Sequence, residues 1–302
     1  MRWLHAARDL SPHTLRAYEA DVLALEKHLG RQARVRRVNR DCLVSFVEWL
    51  RDEGLSPSSI RRRLAGVRGF CRWLLAHQLL EDDPLIGLTI PTGRRRALPR
   101  VIPAHEIDRL FRYLQRAALV TDQPRPMAIR ARPHHTTTLL GVALMLTTGV
   151  RVHEVVGITC ADIDLQAQSI RILGKGRRER QVFLSNSWLT GLTMMYLQVR
   201  SELGIRHQWL LFNSLYDPLT TQAMRSRLGK AADVAGLKLR ITPHMLRHTA
   251  ATQLMDAGVD IRYIQRLLGH ASLTTTELYT HVSDSALKRV VTAADTLELM
   301  LQ

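Results

Sequence analysis

Apolar residues recur every three or four positions along three stretches near the N-terminus, and helix punctuation brackets each stretch. Leu15, Tyr18, Val22, Leu25 and Leu29 fall at such steps. Before them stands Ser11-Pro12, an N-cap followed by proline at the first helical position, and after them Gly30, which suits a left-handed helix end. A second helix is predicted from Asn39, with Leu43, Phe46, Val47 and Leu50 on one face, stopping at Gly54. Ser56-Pro57 repeats the start signal for a third, whose inward face is Ile60, Leu64, Val67, Cys71 and Leu74. The outer face of this third helix carries Arg61, Arg62, Arg63, Arg68 and Arg72 with few acidic residues between them, which points to phosphate contacts.

The periodicity breaks at 91–100, where two prolines, a glycine and Arg94, Arg95, Arg96 and Arg100 read as a basic linker suited to lie along a polyanion. An all-helical domain over 1–90 therefore precedes a second one over 101–302. The second opens with a helix around Ala104–Leu119. A loop from Thr121 to His135 follows, holding Pro124, Pro126 and Pro133, and its length marks it as either disordered or ligand-contacting. Leu139–Leu146 is an apolar helix ending near Gly149, and Ser169–Leu173 with Gln181–Leu184 form a β-hairpin around Gly174-Lys175-Gly176-Arg177. From Thr190 onward the pattern is helical. The expected fold class is mainly α with a small β-sheet.

A length of 302 residues suits two domains of roughly 100–200 residues each. The 46% apolar content supports globular cores, and the net charge of +16 is spread along the chain, which marks a polyanion partner with nucleic acid the default. Cys42, Cys71 and Cys160 lack paired spacing, so neither a disulfide framework nor a zinc knot is expected. No signal peptide and no apolar run long enough to span a bilayer is read, so a cytoplasmic protein is expected, with no membrane partner.

The chemistry concentrates near the C-terminus. Thr242-Pro243 starts a helix that sets His244 and Arg247 three apart near the positive end of its dipole, where an anion is favoured. A zinc reading of His244 and His248 fails for lack of the glutamate of an H-E-x-x-H site. The His134-His135 pair likewise has no partnered ligands, and no metal is expected there. Asp260 caps the next helix, Gly269 ends it, and His270 follows at that corner. Thr274–Glu277 forms a capping box for a short helix bearing Tyr279. Upstream, Arg151 follows Thr148-Gly149-Val150, and Lys175 lies at the hairpin tip. Two guanidiniums can neutralise the charge growing on a phosphodiester under attack, an imidazole can take a proton from a phenol, and an ammonium can protonate the leaving oxygen. Such a set can work without metal, and no cofactor is expected.

Four segments carry a resemblance. T-G-V-R-V-H-E-V at Thr148–Val155, G-K-G-R-R-E-R at Gly174–Arg180, H-M-L-R-H-T-A-A-T at His244–Thr252 and L-L-G-H-A-S-L-T-T-T-E-L-Y-T-H-V at Leu267–Val282 resemble the tyrosine recombinases, most of all their short bacterial Xer-type and transposon-borne members. The resemblance spans essentially the whole chain. It implies a helical core-binding domain and a catalytic domain that clamp DNA between them. It implies Arg151, Lys175, His244, Arg247 and His270 as active-site residues around the nucleophile Tyr279, with Glu154 supporting the first arginine. The reaction implied is cleavage through a 3′-phosphotyrosyl link on double-stranded DNA with inverted half-sites. The synapse implied is a homo-tetramer, or a hetero-tetramer with a related recombinase.

Two departures stand beside it: the long 121–135 loop, and a start directly on the first helix, without the arm-site domain of many phage integrases. A final helix capped by Asp284 carries Leu287, Val290, Val291, Ala294, Leu297 and Leu301 in a stripe that either packs onto its own catalytic domain or, as the resemblance implies, docks into a neighbouring protomer. The rival readings are a type IB topoisomerase and a catalytically silent DNA-binding regulator.

Overall fold

The computed structural model describes residues 12–30, 34–88, 101–121, 123–174, 179–269 and 284–294. The chain divides into two compact units, Met1–Ala97 and Leu98–Gln302. The basic linker expected at 91–100, with Arg94, Arg95 and Arg96, lies outside the described residues.

In the first unit the described elements are α1 (Pro12–Leu29), a 3₁₀ turn, α2 (Arg40–Asp52) and α3 (Pro57–Ala76). Local chemistry sets their ends: Asn39 accepts the Cys42 amide at 2.9 Å, and Ser56 accepts that of Ser59 at 3.3 Å. Leu25, Leu43, Phe46, Leu50, Ile60, Leu64, Val67 and Cys71 close the core. Burial pushes the Cys71 thiol up to about 12, so it is inert packing. The reading of the arginines on α3 needs one correction. Arg62 donates to the fully buried Asp21 of α1 and forms an ion pair with it, so its charge is matched inside the protein. Arg61, Arg68 and Arg72 remain exposed, and Arg63 is half-buried.

The second unit is wrapped around one helix. It contains α4 (Ala104–Ala118), α5 (Pro126–Ala131), α6 (Pro133–Thr148) and α7 (Val152–Gly157), then β1 (Ile163–Asp164), β2 (Ser169–Leu173) and β3 (Glu179–Phe183). After these come α8 (Ser187–Glu202), α9 (Thr221–Val234), α10 (Pro243–Asp256), α11 (Ile261–Leu268) and α12 (Asp284–Ala293). Every residue of α6 from Thr136 to Thr148 is buried, because α4, α7, α8, α9 and α10 pack around it. Its threonines satisfy their hydroxyls on the carbonyl four residues back, Thr148 on Leu144 at 2.6 Å for example. The strands form an antiparallel sheet in the order β1-β2-β3, with Ile170 opposite Val182 and Ile172 opposite Arg180. The fold is thus mainly helical with one small sheet.

Two expectations about this unit are corrected. Residues 121–135 are no long loop: Pro126 and Pro133 each begin a helix, α5 packs on α8, and Ile129 is buried. Arg130 pairs with Glu202, and Arg132 donates to the Ala117 carbonyl at 3.2 Å, so these arginines hold the segment to its own unit. The helical reading after Thr190 fails between α8 and α9. There Leu210, Leu211 and Phe212 are fully buried in extended backbone, bridging Thr159 to Trp209 and Phe212 to Pro218. A short apolar run cannot distinguish a buried strand from a helix by periodicity.

The described part of the tail packs on its own unit. Leu287, Val291 and Ala294 of α12 are buried in the core of their own unit, where α12 packs on β3 and Lys288 donates to the Ala167 carbonyl at 2.7 Å. The stripe is covered within its own unit through residue 294. Leu297 and Leu301 lie outside the described residues.

Candidate active site

Arg151 caps the N-terminus of α7, and the Glu154 carboxylate reaches back to the Arg151 amide at 2.7 Å. The same carboxylate accepts Arg151 Nη1 at 3.1 Å. Glu154 is completely buried, and its stronger partner comes from elsewhere. Arg180 of β3 grips it with both terminal nitrogens, Nη1 to Oε1 at 2.9 Å and Nη2 to Oε2 at 2.8 Å. Burial alone raises the Glu154 carboxyl, but the Arg180 hydrogen bonds, the Arg151 amide and the two charges outweigh it and hold it at about 2.

Arg247, on the second turn of α10, is buried to 8% exposure and ties two loops together. Its Nη1 donates to the Gly149 carbonyl and its Nη2 to the Leu268 carbonyl, each at 2.7 Å. Burial lowers its pKa to about 10, with the Arg151 and Arg180 charges adding to the effect and Glu154 opposing it. Arg180 Nε donates to the neighbouring Leu267 carbonyl at 2.8 Å. Two guanidiniums thus cap the last carbonyls of α11, groups that have no partner within the helix and sit at its negative end. The approach is tight: a Cβ on Gly149, whose φ is +64°, would collide with the Leu268 side chain.

Three guanidiniums around one carboxylate leave a surplus of two positive charges, while Arg151 keeps about a third of its side chain exposed. A surplus of that sign beside a part-exposed guanidinium can accommodate an anion. His244 is exposed on the first turn of α10, one turn before Arg247. Lys175 belongs to the 174–178 connection of the β2–β3 hairpin, and His270 follows the capping residue Gly269 of α11. Lys175, His270 and Tyr279 lie outside the described residues. So the described part of the site joins Arg151, Glu154 and Arg247, with His244 on the same helix as Arg247. Among the described residues, no cluster of three His, Cys, Asp or Glu could hold a metal ion, and no helix is long and apolar enough to cross a membrane.

Arg180 is the residue that sequence reasoning missed. In the sequence it stands beside Arg177 and Arg178, and in β3 strand alternation places it on the side of Val182, which is buried.

The Glu154 pKa has a direction with pH. Because the folded value lies below the ordinary 4.5, its contribution to stability is complete above about pH 4.5 and is lost as the pH falls toward 2. Urea unfolding between pH 6 and 2 is expected to show a steep acid loss in the native protein and a shallower one in Glu154→Gln. Equal slopes would remove Glu154 from the acid-sensitive set.

Comparison with known proteins gives a consistent answer. Residues 100–286 match the model of the phage integrase family, and residues 1–78 match that of the phage integrase N-terminal SAM-like domain. The chain is 35% identical over 294 residues to the tyrosine recombinase XerC of Listeria welshimeri, covering 95% of this chain and 93% of the relative. Its fold matches the XerH site-specific recombinase bound to a palindromic difH substrate in a post-cleavage complex. There the TM-score is 0.68 and the identity 20%, over 95% of this chain and 81% of that one. A lambda integrase tetramer bound to a Holliday junction also matches at TM-score 0.68 and 17% identity, over 90% and 77% of the two chains.

Proposed function

Because this chain belongs to the phage integrase family of tyrosine recombinases, we propose that it is a site-specific DNA recombinase that cleaves and rejoins duplexes through a 3′-phosphotyrosyl intermediate. The observation that carries this is the buried Glu154 carboxylate holding a cationic cluster of Arg151, Arg180 and Arg247 at the end of the helix that leads to His270. A phosphodiester is inert because repulsion and a poor leaving group oppose attack. Arg151 and Arg247 lower the first barrier by placing positive charge where the five-coordinate phosphorus becomes more negative. The Tyr279 phenol, with an ordinary pKa of about 10, attacks the phosphorus as an imidazole of His244 or His270 takes its proton. The bond to the 5′-oxygen breaks, and Lys175 supplies the proton that this oxygen takes up. The free 5′-hydroxyl of a partner duplex then attacks the phosphotyrosine and releases Tyr279. The ester stores the bond, so strand transfer requires no ATP.

Affinity comes from the basic surface. Arg61, Arg63, Arg68 and Arg72 on α3, with Arg94, Arg95 and Arg96 in the linker, contact backbone phosphates, while Arg62 serves Asp21. The protein acts in the cytoplasm on double-stranded DNA with inverted half-sites. It assembles as a homo-tetramer or with a related recombinase.

A supercoiled plasmid bearing two copies of its selected target separates the rivals. Recombinant joints are expected, and they are expected to form in excess EDTA, since guanidiniums supply the charge stabilisation. Relaxed circles alone would mean a type IB topoisomerase, and untouched DNA a silent regulator.

A further inference from the structure

We propose that Arg180 is a positioning residue for strand cleavage, joining the Glu154 carboxylate that orients Arg151 to the Leu267 carbonyl that ends α11. The inference rests on the recombinase reading and extends it to a residue that touches no reacting atom. Three segments meet at this guanidinium, with Glu154 at 26 residues and Leu267 at 87 residues from it in sequence. Each segment leads to one part of the chemistry. Through Glu154, Arg180 holds Arg151. Through Leu267, it fixes the turn from which His270 and then Tyr279 follow. Through its own strand, it anchors the hairpin whose connection carries Lys175.

A direct DNA contact is the obvious rival, and the half-site Kd separates the two. The Arg180 side chain is 11% exposed, and each of its three nitrogens donates to protein oxygen. A lysine could not repeat this, because a single ammonium cannot grip a carboxylate with two parallel bonds while also reaching the carbonyl. The corner beside it is equally constrained. A Cβ on Gly269, at φ +64°, would lie 3.2 Å from Arg180 Cδ, so the guanidinium stem packs against the residue preceding His270.

The charged and titratable groups facing Glu154 are Arg151 and His153 on its own helix, Arg180 from β3 and Arg247 from α10. Burial and the surrounding arginines lower the His153 pKa, with the Glu154 charge opposing them. Removing Arg180 takes away the carboxylate's bidentate partner, and burial then drives it toward the protonated form. A protonated Glu154 holds Arg151 poorly. The Arg180 defect should therefore deepen as the pH falls, which loss of mere packing would not do.

The test uses the full chain and a nicked duplex bearing a half-site selected from random DNA, so that cleavage traps the adduct. At saturating duplex, Arg180→Gln is expected to form adduct roughly 10–100-fold more slowly than the native protein, a loss typical of a residue that orients an active group. Its half-site Kd should stay within about threefold, because the phosphate contacts that dominate affinity remain. The ratio of variant to native rate should fall further from pH 8 to pH 5. Arg180→Lys, which keeps the charge and is the milder change for folding, should recover part of the rate and flatten that pH dependence. Equal rates in variant and native protein overturn the proposal and leave the recombinase reading intact. So does a defect that appears wholly in Kd, or a ratio that is constant with pH. A native protein that forms no adduct overturns both together.

Discussion

A Tyr279→Phe protein is expected to bind its half-sites as the native protein does and to form no covalent adduct. The substitution removes one phenolic oxygen and leaves the side chain's volume and ring in place. Affinity for duplex DNA arises mainly from phosphate neutralisation, and the net charge of +16 is unchanged. Chemistry has no substitute route, since the leaving 5′-oxygen departs only when another oxygen takes its place on phosphorus. Loss of a nucleophile from a set of residues acting as a unit costs on the order of 10⁶-fold, which on a denaturing gel is complete absence of the shifted band. Mobility-shift titration beside that gel separates binding from cleavage. An adduct in the phenylalanine protein would move the nucleophile elsewhere, Tyr263 of α11 being the first residue to substitute next.

Arg247→Ala should damage both catalysis and stability, and the second effect distinguishes Arg247 from Arg151. If Arg247 stabilises the phosphate as proposed, its removal should cost roughly 10²–10³-fold in cleavage rate. It also satisfies two buried carbonyls on separate segments, Gly149 and Leu268, at 2.7 Å each. Leaving them without a donor costs about 1–3 kcal/mol apiece, so urea unfolding should register a loss of roughly 2–6 kcal/mol. Arg151→Ala should match the catalytic loss with a smaller stability change, since Arg180 still pairs with Glu154. Arg247→Lys should not rescue either property, because one ammonium cannot span two divergent acceptors. Unchanged unfolding in Arg247→Ala would refute the clasp at the end of α11.

Helix ends were legible in the sequence because capping is local. Ser56, Thr242 and Asp260 each accept an amide two or three residues ahead, and Gly149 and Gly269 take the left-handed conformation that ends α6 and α11. The candidate site residues Arg151, His244, Arg247, His270 and Tyr279 stand in short motifs whose spacing is read without coordinates, and the structure brings Arg151 and Arg247 around Glu154 while His270 and Tyr279 lie outside the described residues. The 121–135 segment was misread although Pro126 and Pro133 both sit at first-turn positions. Three prolines in fifteen residues look like loop until Ile129 is seen to be buried.

Contacts between distant residues were decided by tertiary structure. Asp21 and Arg62 lie 41 positions apart, so the sequence showed an uncompensated arginine where the fold has an ion pair. The stripe on α12 revealed an apolar face and not its partner, which turned out to be the sheet of its own unit. Arg180 is singled out by the buried glutamate that it grips 26 residues away, a partner that no local pattern in the sequence announces. Sequence determines what each residue can offer, through its charge, its donors and the backbone conformations it tolerates. Which donor meets which acceptor is set by packing, because a buried carboxylate selects whichever guanidinium the fold brings within reach.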